Sequence, residues 1–358
     1  MDWNRQQVAA IARIRATLSP SELEKAEKVK RINDRYLGLT RDTTFSLAFN
    51  NLVASVAWHD PQDENRPGKR RILAVCGESG AGKTRTIMEH ISLIEAMAPY
   101  TDEDGGTVNP VLMYEPPSPC TPKLLAIEGL RKLGMPVRAS IRENEAWDTF
   151  RVALKAHKIM FVVIDEAQHA VVAANAVDQQ KIADAFKGLV QMPDWPVRLI
   201  LAGVPPLAEF LSEHEQLFTR RTAIRLEKLE GTQGLATIDE ILSKIAAHGE
   251  VSLNLPTDPN VKFKERLSHA GSGNFGTIVQ MIRGAVELAV LEGAPEVSKV
   301  HFEKMYMAYS GCLEHENVFT HAAWQELEPL KAFMRVNDKA PRTRRERGEK
   351  QIKFGDRP

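Results

Sequence analysis

Eight consecutive residues, Gly77-Glu78-Ser79-Gly80-Ala81-Gly82-Lys83-Thr84, carry the spacing G-x-x-x-x-G-K-T. Glycines placed this way let the chain curl so that successive backbone N–H groups point inward, at the oxygens of a phosphate. A helix opening at Lys83 adds its positive dipole end to the same anion. The pattern assigns Lys83 to the β- and γ-phosphates and the Thr84 hydroxyl to Mg²⁺, with Arg85 closing the binding stretch. A second group lies further on, where the apolar run Phe161-Val162-Val163-Ile164 ends in Asp165-Glu166. Adjacent carboxylates at the end of a buried strand are costly unless they meet a cation or water. Asp165 is expected to share the Mg²⁺ with Thr84, and Glu166 to polarise an attacking water. The chemistry these residues suit is hydrolysis of ATP·Mg²⁺.

The elements that position them follow from the apolar rhythm. Short runs rich in Val, Ile and Leu occur at Ile72–Cys76, Val111–Tyr114, Ile159–Ile164, Val197–Ala202 and Ala223–Leu226. They predict strands covered on both faces. Helical patterns lie between them at Lys83–Met97, Pro122–Leu133, Asn144–His157 and Gln179–Val190, and Thr121-Pro122 is a cap-then-proline start signal. Such alternation predicts an α/β fold: a five-stranded parallel sheet with flanking helices. The phosphate loop then follows the first strand, and the carboxylates end another at the edge where ligands bind in open sheets.

Helices alone are predicted after Leu229: from Gly231 to His248, Pro259–Ala270 (with Asp258-Pro259 as a second start signal), Phe275–Glu292 and Ser298–Gly311. Helical patterns also precede the sheet, at Ser21–Arg35 and Phe45–Trp58, with a polar loop over 59–69. The predicted organisation is an N-terminal helical arm over 1–58, an α/β nucleotide-binding domain over 59–229, a small helical lid over 230–312, and a C-terminal helix with a basic, disordered tail over 313–358. Phe45, Leu47, Phe49 and Leu52 are expected to pack the arm against the sheet.

Bulk composition excludes several classes. Hydrophobic residues make up 43% and charged residues 26% of 358, enough for a sizeable core. Lys plus Arg equals Asp plus Glu at 47 each, so overall charge does not mark a nucleic-acid or membrane binder. The balance is uneven, however. Residues 1–36 carry eight basic against five acidic side chains, and 335–358 carry nine against four, leaving an acidic body. No apolar stretch has the length of a membrane span, and residues 1–18 lack the apolar core of a signal peptide. Three separated cysteines, Cys76, Cys120 and Cys312, fit reduced thiols in a cytoplasmic protein. His157, His169 and His214 lack metal-ligand spacing.

No Asn-Lys pair supports a guanine-reading motif of the Ras type, and too little chain follows the sheet for a second helicase lobe. A sheet followed by a helical lid is the layout of AAA+ P-loop NTPases. Within them the chain resembles the TniB and TnsC group of transposition regulators. The resemblance rests on the phosphate loop, Asp165-Glu166-Ala167-Gln168-His169, the pair Arg220-Arg221, the segment Val111 to Pro119 (VLMYEPPSP), and Gly273-Asn274-Phe275-Gly276-Thr277-Ile278-Val279. It implies an ATP-dependent homo-oligomer, ring or filament, on duplex DNA, acting with a transposase and a TniQ-type target selector. It places an arginine finger at Arg220 or Arg221 and DNA contacts near Thr121 and Lys123, with Arg131 nearby. A nucleotide-gated signalling or scaffold ATPase of the STAND type, without DNA, and a helicase-loader-like ATPase remain alternatives.

Two departures from the resemblance bear on rate. Leu201-Ala202-Gly203-Val204 offers no polar side chain at the end of the fourth strand, where AAA+ proteins carry a water-sensing residue. Gly273-Asn274-Phe275-Gly276 lacks the arginine many lids carry. Both predict slow basal hydrolysis, stimulated by DNA or a partner, with water positioning shared by Gln168.

Overall fold

The structure, a computed structural model, describes residues 3–57, 71–138, 140–172 and 175–329. The loop expected at 59–69 and the basic stretch at 335–358 lie outside the described residues. Three helices come first: α1 (Trp3–Arg15), α2 (Pro20–Asp34) and α3 (Asp42–Ala57). Ser19 and Glu22 start α2 with a reciprocal capping box, and Pro20 fills the first helical position.

The α/β portion runs β1 (Ile72–Gly77), α4 (Lys83–Leu93), a small hairpin of β2 (Tyr100–Thr101) and β3 (Thr107–Val108), then β4 (Val111–Tyr114), α5 (Pro122–Lys132) and α6 (Glu143–Ala156). It continues with β5 (Phe161–Ile164), α7 (Gln168–Val171), α8 (Ala176–Val190), β6 (Arg198–Gly203), α9 (Pro205–Glu213), α10 (Glu215–Phe218) and β7 (Arg221–Leu226). Five strands pair in parallel in the order β4-β5-β6-β1-β7. Every residue of β1, β5 and β6 is buried, which is why those segments read as apolar runs, broken only by the buried Arg198 of β6. One face packs on Leu125, Phe150, Phe186 and Leu211 of α5, α6, α8 and α9. The other packs on Phe45, Phe49 and Leu52 of α3 and Ile87 of α4. Leu47 departs from expectation: it is 64% exposed, because one helical face takes Phe45, Phe49 and Leu52 and turns Leu47 outward. β7 also begins earlier than its apolar run suggests, so Arg221 is a strand residue and only Arg220 precedes it.

The helical portion comprises α11 (Gly231–Gly249), β8 (Ser252–Asn254), α12 (Phe263–Ala270), α13 (Phe275–Glu292), β9 (Glu296–Ser298) and α14 (Lys299–Ser310), with β8 and β9 paired in parallel. Asp258-Pro259 does not start α12. Asp258 instead accepts a hydrogen bond from Asn260 N (2.9 Å), closing a turn, and the helix begins behind Lys262 in the left-handed region. The core of this portion joins Ile238, Leu242, Ile282 and Phe302 with Ile32 and Leu39 from before the sheet, and with Phe319 and Trp324 from beyond α14. The single arm expected over 1–58 is therefore divided: α2 packs on α11 and α13, while α3 packs on the sheet. Of the C-terminal helix and tail expected over 313–358, residues 330–358 lie outside the described residues; before them come two single 3₁₀ turns, Glu314–Glu316 and Trp324–Glu326. No helix among the described residues is long and apolar enough to cross a membrane.

Candidate active site

β1 lies beside β6, which lies beside β5, so the loop leaving β1 and the carboxylates leaving β5 emerge at one edge, two strand spacings apart. The gap is bridged by Thr84, whose Oγ1 donates to Asp165 Oδ2 over 2.5 Å. Asp165 is 1% exposed, and its other oxygen accepts the Glu166 N–H (2.8 Å). A hydroxyl and a carboxylate oxygen in contact form the hard-oxygen donor pair that magnesium takes alongside water and phosphate. Thr84 and Asp165 thus fit the ion, and these two would hold it.

The loop suits a phosphate chain equally well. Gly82, at φ 89°, holds a left-handed conformation open to glycine, at the point where the chain turns into α4. Lys83 is 4% exposed and its ammonium donates to the carbonyls of Gly77 and Glu78, each at 3.0 Å. A buried ammonium held by two neutral carbonyls is poised to exchange them for phosphate oxygens, a stronger charge-assisted contact. Arg85 sits differently from expectation. Its guanidinium donates to the carbonyl of Asp34, so the side chain ties α4 to the end of α2.

The lid motif closes directly on this loop. Asn274 caps α13 by accepting from Thr277 N (3.1 Å), and its amide also donates to the Ser79 carbonyl. Gly276 N donates to Gly80 O at 2.8 Å, and a Cβ on Gly276 would overlap that oxygen. Phe275 stacks under the Arg41 guanidinium, 3.5 Å from carbon to ring centroid, and Arg41 donates to Ala81 O (3.4 Å). Burial lowers the Arg41 pKa, with Asp42 opposing. A 270 Å³ cleft beside the loop is lined by Arg41, Thr44, Leu226, Gln233 and Thr237. Sequence reasoning missed Arg41: it stands in a polar stretch, and only the non-local docking of α3 and the lid gives it a place.

Glu166 has φ 50°, a left-handed conformation costly for a side-chain-bearing residue, by about 1–2 kcal/mol. Its carboxylate accepts from the Gln168 amide, and His169 Nε2 lies 3.9 Å away. The arginine pair is elsewhere. Arg221 pairs in register with Ile72 and Leu226 with Gly77, so Arg221 lies at the opposite end of β7 from the loop, about 16 Å away at strand rise. Arg221 donates to Ser212 Oγ (3.2 Å) and lies over Phe218, while Arg220 donates to Gln216 O (2.6 Å). Thr121 is the N-cap of α5, accepting from Leu124 N (3.2 Å), Lys123 is half-buried in the first turn behind it, and Arg131 pairs with Glu128 at 3.6 Å.

Loop, paired carboxylates, five parallel strands and a docked helical lid are the arrangement of AAA+ proteins, and solved structures agree. The Aeropyrum pernix ORC1 protein, determined in complex with DNA, is similar at a TM-score of 0.52 and 15% identity, over 79% of this chain and 69% of that one. Cdc6p from Pyrobaculum aerophilum is similar at 0.52 and 14%, over 78% and 70%. At such identity the likeness is one of fold. No curated protein matches the chain in sequence. Residues 58–231 match the family described as the bacterial TniB protein.

Proposed function

We propose that this protein is an ATP-hydrolysing switch that assembles into a homo-oligomer on duplex DNA and, assembled, recruits or activates a transposase at a target site. The observation that carries the reading is the 2.5 Å Thr84–Asp165 contact beside the buried Lys83, in a chain whose residues 58–231 match the TniB family. The loop amides and Lys83 bind the phosphates, while Thr84 and Asp165 would hold Mg²⁺, which would supply charge neutralisation. Glu166 orients a water for in-line attack on the γ-phosphorus; the bond to the bridging oxygen breaks and ADP departs.

The backbone of Arg220 and Arg221 stands at the end of β7 away from their own loop, with the side chains on Gln216 and Ser212. They suit a finger offered to a neighbouring subunit, which makes hydrolysis depend on assembly. DNA contact is assigned to the start of α5, through Thr121 and Lys123, and contact with a TniQ-type selector follows from the family. A DNA-free signalling or scaffold role is separated from this by one experiment: ATP turnover by the full chain with and without duplex DNA, with electron microscopy of the same samples. The expected result is slow basal turnover, at least about tenfold stimulation by DNA, and rings or filaments that need both ATP and DNA. Turnover and assembly indifferent to DNA overturn the DNA reading. A Lys83→Ala chain that binds ATP as the wild type does overturns the nucleotide reading itself.

A further inference from the structure

Gln168, the first residue of α7, holds two partners at once. Its Oε1 accepts from the Val204 backbone N–H at 3.2 Å, and its Nε2 donates to Glu166 Oε2. Those contacts fix which end of the amide is which, since a flip would set oxygen against carboxylate and NH₂ against N–H. The side chain is 7% exposed, and Gly203 leaves room for it: a Cβ there would come within 2.7 Å of Gln168 Oε1. The backbone repeats the connection, with Ala167 N donating to Ala202 O at 2.8 Å. The end of β6 is thus joined to Glu166 through one buried amide, while β6 itself ends in Leu201, Ala202 and Gly203, without a polar side chain.

We propose that Gln168 is the positioning residue for Glu166. It aims the carboxylate at the water and makes that aim depend on the end of β6, which no side chain of β6 does. The inference rests on the ATPase reading. It predicts a change in hydrolysis without a change in nucleotide binding, because the Gln168 side chain hydrogen-bonds Glu166 and Val204 rather than the phosphate loop.

The test is single-turnover hydrolysis of γ-labelled ATP by the full chain, with affinity measured on a fluorescent ATP analogue. Gln168→Glu keeps the shape and the acceptor for Val204 N–H but loses the donor to Glu166; Gln168→Ala loses both. Both are expected to slow hydrolysis by about tenfold or more, below the ~10²–10⁴-fold that an acid–base group contributes, with ATP affinity within about threefold. Should the alanine variant fail to fold, the near-isosteric glutamate variant decides. Gln168→Glu hydrolysing at close to the wild-type rate overturns the inference while leaving the ATPase reading intact. So does a parallel loss of affinity and rate, the mark of a merely structural role. A wild-type chain that hydrolyses no ATP overturns both.

Discussion

Thr84 shows how one hydroxyl serves two states. In this structure it satisfies a nearly inaccessible carboxylate, Asp165, whose other hydrogen-bond donor among the described residues is the Glu166 N–H. On the proposed reading, Mg²⁺ would take the same two oxygens as ligands, and the hydrogen bond would no longer be needed. Thr84→Val preserves shape and removes the oxygen, so two effects are expected. Leaving a buried carboxylate short of a donor destabilises the fold by about 1–3 kcal/mol, read by chemical denaturation. ATP affinity falls, and its dependence on Mg²⁺, measured by titration with and without EDTA, largely disappears. A variant whose ATP binding still rises with Mg²⁺ as strongly as the wild type's would remove Thr84 from the metal site.

At the scale of elements, the contact that matters is the first turn of α13 on the phosphate loop. Gly→Ala inside a helix ordinarily stabilises it by about 1 kcal/mol. At Gly276 the sign of the functional effect is expected to reverse, because the new methyl meets the Gly80 carbonyl, a backbone atom with little room to yield. Gly276→Ala should push the lid off the loop, lower ATP affinity several-fold and expose α13 to limited proteolysis. Gly284→Ala on the same helix is the control: its Cβ would meet only the flexible Met305 side chain, at 2.9 Å. Equal ATP affinity in the two variants would show that lid docking does not govern the site. This element also shows what sequence makes legible. The phosphate loop, the strand-end carboxylates and most strands and helices were readable, because each is written in contiguous residues through spacing or apolar period. Gly-Asn-Phe-Gly was readable only as a family mark. Its physical meaning, a cap, a stacking ring and a close backbone approach to Gly80, exists only once the lid has folded onto a loop nearly two hundred residues earlier. Arg41 and the division of α2 from α3 stayed hidden for the same reason, and Asp258-Pro259 misled because a turn and a helix start use the same residues.

Across the whole molecule, the helices before the sheet join its two cores: α3 belongs to the sheet and α2 to the lid, with residues 35–41 passing between them. That passage is pinned from both sides. Arg85 of α4 holds Asp34 O, while Lys244 of α11 holds Gly38 O and Arg283 of α13 holds Arg35 O at 3.0 Å. His248, in the last turn of α11, sits at this seam. Burial lowers its pKa below the ordinary 6.5, helped by the nearby charges of Arg35, Arg283 and Lys244, and its Nδ1 has no hydrogen-bond partner among the described residues. A histidine whose folded pKa lies below its unfolded one contributes stability that is present above the unfolded value and is lost as pH falls through the folded value. The melting temperature should therefore drop as pH is lowered from about 7 towards 5, the unfolded chain taking up the proton first. His248→Gln cannot titrate, so its melting temperature should fall less across the same interval in parallel scanning fluorimetry, every other titrating group being common to both proteins. Curves that run parallel from neutral to acid pH would exclude His248 as the source. A flatter curve for the variant would identify the joint between arm and lid, rather than the sheet, as the part of the fold that acid loosens.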